Sequence, residues 1–301
     1  MHVAVTGGTG LIGRAVVAAL RARGDRVTVL SRRSSADDDV MTWDASRGVA
    51  GVRNLEGLDA VINLAGAPLA TRPWTANRRE VLLNSRVDAT AAIARSLAKL
   101  DDGPSVWVGI GTLGRFGDRG DDWVTEQDAP GEGFLADLGV QWEAAHQDAA
   151  DLLGARCATL RLSIVLSEDG GAFPPMLVPF RYGFGGWLGD GQQYTPWMSR
   201  RDVANALLHL LDHELHGPFN GSVPEPIRNR AWFEALGRAL GRPVRTHAPS
   251  WALRGALGDL GTAIFLSSCR VAPTRLLETG FVFQDDDPEA AFRRLLALSS
   301  E

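Results

Sequence analysis

Apolar residues in this chain recur at two spacings, and the two alternate along its first half. Val3, Ala4 and Val5 form a short continuous run that ends at Thr6. Leu11, Ile12, Ala15, Val16, Ala19 and Leu20 then repeat on one helical face until Gly24 stops them. Residues 26–30 are a second strand-like run, 40–43 a third closed by Asp44, and 60–66 a fourth ending in a turn of small residues. Val81, Leu82, Val87, Ile93, Ala94 and Leu97 predict one helix over about 75–99. Residues 105–111 predict a fifth strand, 134–153 a helix and 157–166 a sixth strand. Between them, 112–133 is polar and glycine-rich, and a loop of that length in a compact domain is commonly functional or mobile.

Six strand–helix alternations predict an α/β fold, a Rossmann-type doubly wound parallel sheet with right-handed crossovers. Ligands of such sheets sit beyond the carboxyl ends of the strands, at the switch point. That rim carries residues 8–13, Arg32, Asp44, Ala65, Gly66, Gly111 and Thr112. The pattern breaks after Leu166. Pro174, Pro175 and a series of glycines punctuate 167–198, an excursion suited to a substrate-facing wall and equally to a structural role. Ser199 can cap a helix over 202–211, and 217–224 form a further strand. From Arg228 onward come short helices, one strand around Val244 and a helix from Pro288. The expected division is a dinucleotide-binding unit over 1–225, excursion included, and a small, mainly helical C-terminal unit over 226–301.

The turn after the first strand carries the first chemistry. Gly8-x-Gly10-x-x-Gly13 fits the dinucleotide fingerprint, and Gly7-x-x-Gly10-x-x-Gly13 fits its shifted variant. One glycine turns the chain, the next admits a pyrophosphate, and the third lets helix and strand pack closely. The helix N-terminus offers unpaired N–H groups and partial positive charge. The phosphate-facing set is therefore Gly7, Thr9, Gly10, Leu11, Ile12 and Gly13. At the end of the second strand, an NAD-selective site places a carboxylate for the ribose 2′-OH. Ser31, Arg32 and Arg33 stand there instead, and a guanidinium grips a 2′-phosphate where a carboxylate repels it. NADP is the expected cofactor, with Arg32 and Arg33 as its discriminators.

Composition narrows the partners. The 301 residues are 45% hydrophobic and 22% charged, with a net charge of −5 and Lys99 as the only lysine. No basic patch favours nucleic acid. No apolar run reaches the ~18 residues of a membrane span. Two cysteines, Cys157 and Cys269, and a first strand beginning at His2 point to a cytoplasmic protein without a leader. The six histidines form no metal-ligand pattern; His209, His213 and His216 lie near one helix end. A small-molecule substrate is the expected partner, and the oligomeric state has no signature.

Several segments carry a family resemblance. They are Thr6-Gly-Gly-Thr-Gly-Leu-Ile-Gly13, Asn63-Leu-Ala-Gly66, Ser85-Arg86, Pro179-Phe-Arg-Tyr-Gly-Phe-Gly-Gly186 and Gly217-Pro-Phe-Asn220. In this order they resemble the nucleoside-diphosphate-sugar epimerase-like branch of the atypical extended short-chain dehydrogenase/reductases. Ser268-Cys-Arg-Val-Ala-Pro273 and Leu277-Glu-Thr-Gly-Phe281 resemble that branch's C-terminal domain of unknown function. The resemblance implies an NADP-binding Rossmann domain and supplies no substrate. It places Asn63, Leu64, Ala65 and Gly66 beside the cofactor, turns Glu80 and Arg86 toward it, and sets Ile164 and Val165 near the nicotinamide. Read from the residues alone, 63–66 are equally a strand end, Glu80 and Arg86 a surface ion pair, and Ile164 a buried strand residue.

Dehydrogenases related to this branch use a strand-five serine and a Tyr-x-x-x-Lys pair, whose lysine lowers the tyrosine pKa. This chain has no such pair. Its tyrosines, Tyr182 and Tyr194, are followed four residues on by Gly186 and Met198, and Leu138-Gly-Val-Gln-Trp142 occupies the helix where the pair belongs. Gly111 stands at the serine position, with Thr112 beside it as the remaining catalytic candidate. Asp118, Asp121, Asp122 and Glu126 are expected to solvate the long loop, and Glu143 to be a surface carboxylate beside a packed Trp142. Arg161 and Arg181 suit an anionic substrate or structural ion pairs. Two functions follow: an NADP-dependent oxidoreductase or epimerase, or a non-catalytic NADP-binding regulatory protein.

Overall fold

The computed structural model describes residues 1–298; the last three residues of the expected C-terminal unit, 299–301, lie outside the described residues. In chain order the elements begin β1 (His2–Thr6), α1 (Leu11–Ala22), β2 (Arg26–Ser31), β3 (Val40–Asp44), β4 (Gly48–Val49) and β5 (Ala60–Asn63). They continue with α2 (Ala76–Asn84), α3 (Val87–Leu97), β6 (Val106–Thr112), β7 (Trp123–Val124), α4 (Phe134–Leu153), β8 (Arg156–Leu162), β9 (Ile164–Ser167) and β10 (Gly170–Gly171). Next come α5 (Phe173–Arg181), β11 (Gly186–Leu188), β12 (Trp197–Ser199), α6 (Arg200–Asp212) and β13 (Gly217–Gly221). The chain ends with α7 (Asn229–Leu240), β14 (Thr246–Ala248), α8 (Ser250–Leu257), a π-helix over Gly261–Leu266, β15 (Arg270–Val271), α9 (Thr274–Glu278) and α10 (Pro288–Leu298).

The main sheet has the order β13-β8-β6-β5-β1-β2-β3-β4, parallel throughout except for the short antiparallel β4. Val5 sits in register with Val29 on one side and Ile62 on the other. Strand order reverses between β1 and β5, so the switch point lies at the carboxyl ends of Thr6 and Asn63. Period-two alternation decides which side chains meet which helices. Val3 and Val5 face α1 and α6, packing on Val16, Leu20, Val203 and Leu207. Ala4 and Val61 face the opposite way, toward Ile93, Leu97 and Ala150 of α3 and α4. Each fully buried leucine or valine of these layers contributes on the order of 1.5–3 kcal/mol.

The structure departs from the sequence pattern in four places. The helix expected over 75–99 is two helices, because the chain turns at Ser85 and Arg86. The strand expected over 157–166 ends at Leu162, and after Ser163 β9 joins a second sheet with β10 and β12. The excursion 167–198 contains α5, whose Pro174 and Pro175 fall in the first turn, where no backbone donor is needed. The loop 112–133 is anchored by β7, which pairs in parallel with β15 of the C-terminal segment. Ser199 caps α6 as expected, its Oγ accepting from the Asp202 amide at 3.1 Å, and the helix starts at Arg200, two residues before the expected 202.

Helices α7 and α10 of the C-terminal segment pack on α5 of the excursion, with Phe173 stacked on Phe292 and Phe180 on Phe233. Among the described residues no helix is long and apolar enough to cross a membrane.

Candidate active site

Three turns at the carboxyl edge of the sheet meet around the switch point. The first follows β1. Gly7 adopts a left-handed φ of 65°, and the Gly10 amide donates to its carbonyl at 2.9 Å. A Cβ on Gly7 would lie 2.8 Å from the Leu64 carbonyl oxygen, and one on Gly13 would lie 2.6 Å from the Gly8 Cα. These contacts keep the loop bare and pull α1 against it. Gly10 caps α1 without any side-chain bond, and the first turn holds no acid. The amides of Leu11, Ile12 and Gly13 thus remain open to an anion. Thr9 is exposed at the lip, its carbonyl accepting from Arg14 at 3.2 Å.

The second turn follows β2. Arg32 and Arg33 are exposed, and among the described residues neither has an ion-pair partner. The neighbouring acids are engaged elsewhere: Asp39 pairs with Arg21 at 2.9 Å, and Asp37 accepts from the Asp39 amide. Asp44, also on this rim, holds its own turn by accepting from Ser46 and Arg47.

The third turn follows β5 and is tied to β1. Thr6 Oγ1 donates to Asn63 Oδ1 at 2.6 Å and accepts from the amides of Leu64 and Ala65. Asn63 Nδ2 donates to Thr90 Oγ1 at 2.8 Å. The Asn63 side chain is therefore wholly engaged in shaping the turn. Gly66 is exposed on the rim, with Arg86 directly behind it. Glu80 lies on the exposed face of α2 and makes no ion pair with Arg86, so the surface pair does not form.

Beside these turns, β6 ends at Gly111 and Thr112. Thr112 is nearly buried and its Oγ1 accepts from the Gly114 amide at 3.1 Å. Helix α4 presents Leu138, Trp142 and Glu143 to this end. Leu138 and Trp142 are buried, and the indole Nε1 of Trp142 has no hydrogen-bond partner among the described residues. Leu138 shares one apolar cluster with Trp74, Leu82 and Leu260, so the segment around Leu260 covers this flank.

Glu143 is not the expected surface carboxylate. Arg161 grips both its oxygens, at 2.8 and 3.0 Å, and Arg115 adds a third bond at 2.7 Å. Gly111 makes room for this group: a Cβ there would lie 3.2 Å from Glu143 Oε1. Burial pulls the Arg115 pKa down, and Glu143 opposes that. Arg161 is thereby a structural partner, whereas Arg181 is exposed. Glu126 is likewise buried rather than solvated, accepting from the Asn220 amide at 3.0 Å. An arginine inside the apolar run 157–166 was the one available sign of such a buried partner.

Ile164 opens β9, partly exposed and in register with Trp197. His209 bonds Thr279 and His213 bonds a backbone carbonyl, and no group of three metal-ligating side chains exists among the described residues.

This arrangement has relatives of known family. Residues 3–221 match the NAD dependent epimerase/dehydratase family, and residues 248–295 match a domain of unknown function, DUF1731. An epimerase family protein of Mycobacterium bovis is 36% identical over 93% of this chain and 93% of its own length. Epimerase family protein SDR39U1 of Homo sapiens is 32% identical over 99% of this chain and 100% of its own. The crystal structure of that human protein (isoform 2) with NADPH matches at a TM-score of 0.89, covering 99% of both chains. This chain therefore belongs to the NAD dependent epimerase/dehydratase family and carries a DUF1731 domain over residues 248–295.

Proposed function

We propose that this protein binds NADP(H) along the switch-point rim and is an oxidoreductase- or epimerase-like protein that has lost the usual proton relay. The observation that carries the cofactor reading is the pairing of a side-chain-free cradle at Gly7, Gly10 and Gly13 with two exposed guanidiniums at the end of β2 that have no ion-pair partner among the described residues. The open amides of α1 suit a pyrophosphate, and Arg32 and Arg33 suit a 2′-phosphate. Thr9, Leu11 and Ile12 line the cradle's lip, residues 63–66 and Arg86 form its second wall, and Glu80 and Ile164 stand at its margins. When bound, the nicotinamide supplies a hydride donor or acceptor. Titration calorimetry with NADPH and NADH tests this reading: NADPH should bind tighter, and equal affinities would overturn it.

A second reading, a non-catalytic NADP-binding protein, is favoured by one observation. The positions of the relay hold Leu138 and Trp142, both buried and apolar, and the adjacent Glu143 is locked by two arginines. Thr112 is the hydroxyl proposed for what remains of the catalytic role. Turnover separates the readings. The substrate is proposed to be a small molecule, and the two buried free thiols fit a cytoplasmic setting.

A further inference from the structure

Arg86 is a buried cation without a carboxylate. It is 4% exposed. Nη1 donates to the Leu82 carbonyl and Nη2 to the Ala67 carbonyl, each at 3.0 Å. The guanidinium lies 4.6 Å from the centroid of the Trp142 ring, and Nε is buried with no partner. Among the described residues no acid pairs with it. Leu82 is in the last turn of α2, so the negative end of that helix dipole holds the charge in place. Burial and repulsion from Arg78 lower its pKa to about 10, which leaves it charged at neutral pH.

The surroundings do not neutralise it. Glu143, next to Trp142 in sequence, is claimed by Arg161 and Arg115, and that trio keeps one net positive charge. The Glu126 carboxylate accepts from the amides of Asn220 and Arg275. Desolvated charges of this kind interact strongly with whatever charge comes near, because little water screens them.

Its place is specific. A Cβ on Gly66 would lie 3.2 Å from the Arg86 Cζ, so the guanidinium sits immediately behind the turn after β5. If Arg32 and Arg33 on the β2 side take the 2′-phosphate, the nicotinamide half falls on the opposite side of the switch point, over β5 and β6. That half changes charge in the reaction: the reduced ring is neutral and the oxidised ring is a cation.

We propose that Arg86 makes this site select the reduced cofactor, because a fixed cation behind Gly66 disfavours a positively charged nicotinamide and tolerates a neutral one. The proposal rests on the NADP(H) reading above. It makes Arg86 a positioning and selectivity residue rather than a catalytic one.

The test is the ratio of NADPH to NADP⁺ affinity, measured by calorimetry on the wild type, Arg86→Lys and Arg86→Met, with thermal melting as the fold control. The wild type should hold NADPH about tenfold more tightly than NADP⁺, since two like charges several ångströms apart in a partly dry site repel by that order. Arg86→Met should remove most of the ratio, and Arg86→Lys should keep most of it. The wild type also carries the test alone. The two-electron potential of the bound cofactor should lie about 30 mV above that of the free one for a tenfold ratio. Equal wild-type affinities, an unshifted potential, or a folded Arg86→Met with the full ratio would each overturn the proposal while leaving the cofactor reading intact. Binding of neither form would sink the cofactor reading itself.

Discussion

A Cβ atom on Gly13 would lie 2.1 Å from the carbonyl oxygen of Gly7, closer than any real pair of such atoms. The contact joins the first turn of α1 to the loop leaving β1, and it sets how near the helix amides come to a bound phosphate. Gly13→Ala must push the two apart. Overpacking of this kind costs about 1–3 kcal/mol. The expected outcome is a lower urea midpoint together with weaker NADPH binding. A variant with both values unchanged would show that α1 slides freely on its strand.

Arg32 carries the second prediction. It is exposed and has no ion-pair partner among the described residues, while Asp39, a nearby acid, is held by Arg21. Arg32→Glu replaces an attractive charge with a repulsive one at the place proposed for the 2′-phosphate. A charged hydrogen bond contributes about 1.5–3 kcal/mol, or one to two decades of affinity. Calorimetry should find the preference for NADPH over NADH narrowed or reversed. High salt should weaken the wild-type preference in the same direction, because Arg32 is screened by solvent ions. A preference that survives the substitution would move the discriminating role elsewhere.

Much of the fold was legible because the apolar periodicity of a buried parallel sheet is hard to disguise. Val3–Val5, the small-residue strand ends and the cap at Ser199 each act through a local rule. The failures came where the deciding contact is remote. Nothing near Ser85 announces that α2 stops there, because the apolar spacing runs on through Val87 and Ile93. Ser163 interrupts an otherwise continuous apolar run, and only the separate sheet of β9, β10 and β12 explains why. Glu143 looked like a surface residue because its neighbours on α4 alternate polar and apolar. Its partner Arg161 comes from β8, across a register that one sequence does not display. The glycine cradle and the arginines after β2 were visible for the opposite reason: their chemistry is written in adjacent residues.

His146 makes a prediction about acid stability. It is wholly buried, its Nδ1 accepts from Trp107 Nε1 at 3.0 Å, and its Nε2 donates to the Ile110 carbonyl at 3.1 Å. A second ring proton would confront the Trp107 N–H. Burial pushes the pKa down to about 4, against 6.5 for an ordinary histidine. The unfolded chain therefore binds the proton more readily. The stabilisation from the neutral ring is fully present above pH 6.5 and is lost as the pH falls toward 4. Its size is on the order of 3 kcal/mol. His146→Gln keeps an acceptor and a donor but has no charge to gain. Its unfolding free energy should fall less than that of the wild type between pH 6.5 and 4. Parallel pH curves would show that this imidazole does not set the acid limit.

The last prediction concerns turnover. Hydride transfer to or from a carbinol carbon needs a group to give or take the hydroxyl proton, and such help typically supplies about 10²–10⁴-fold. Leu138 and Trp142 provide none, and Glu143 cannot reach outward while two arginines hold it. Thr112 remains, but its Oγ1 already accepts from the Gly114 amide, and the carboxylate beside the neighbouring Gly111, Glu143, is held by the two arginines. Threonine without a base orients a carbonyl better than it moves a proton. Slow turnover or none is therefore expected with nucleotide sugars, and the proton of any residual reaction should travel through water or the substrate itself. Stopped-flow oxidation of NADPH against carbonyl compounds and nucleotide sugars measures this directly. Thr112→Val should lower any residual rate only modestly, and should cost about 0.5–2 kcal/mol of stability, because the Thr112 side chain caps the short 3-10 helix Leu113–Phe116. A wild-type rate above about 10 s⁻¹, the usual enzyme median, that collapses in Thr112→Val would mean that this hydroxyl is a proton carrier after all.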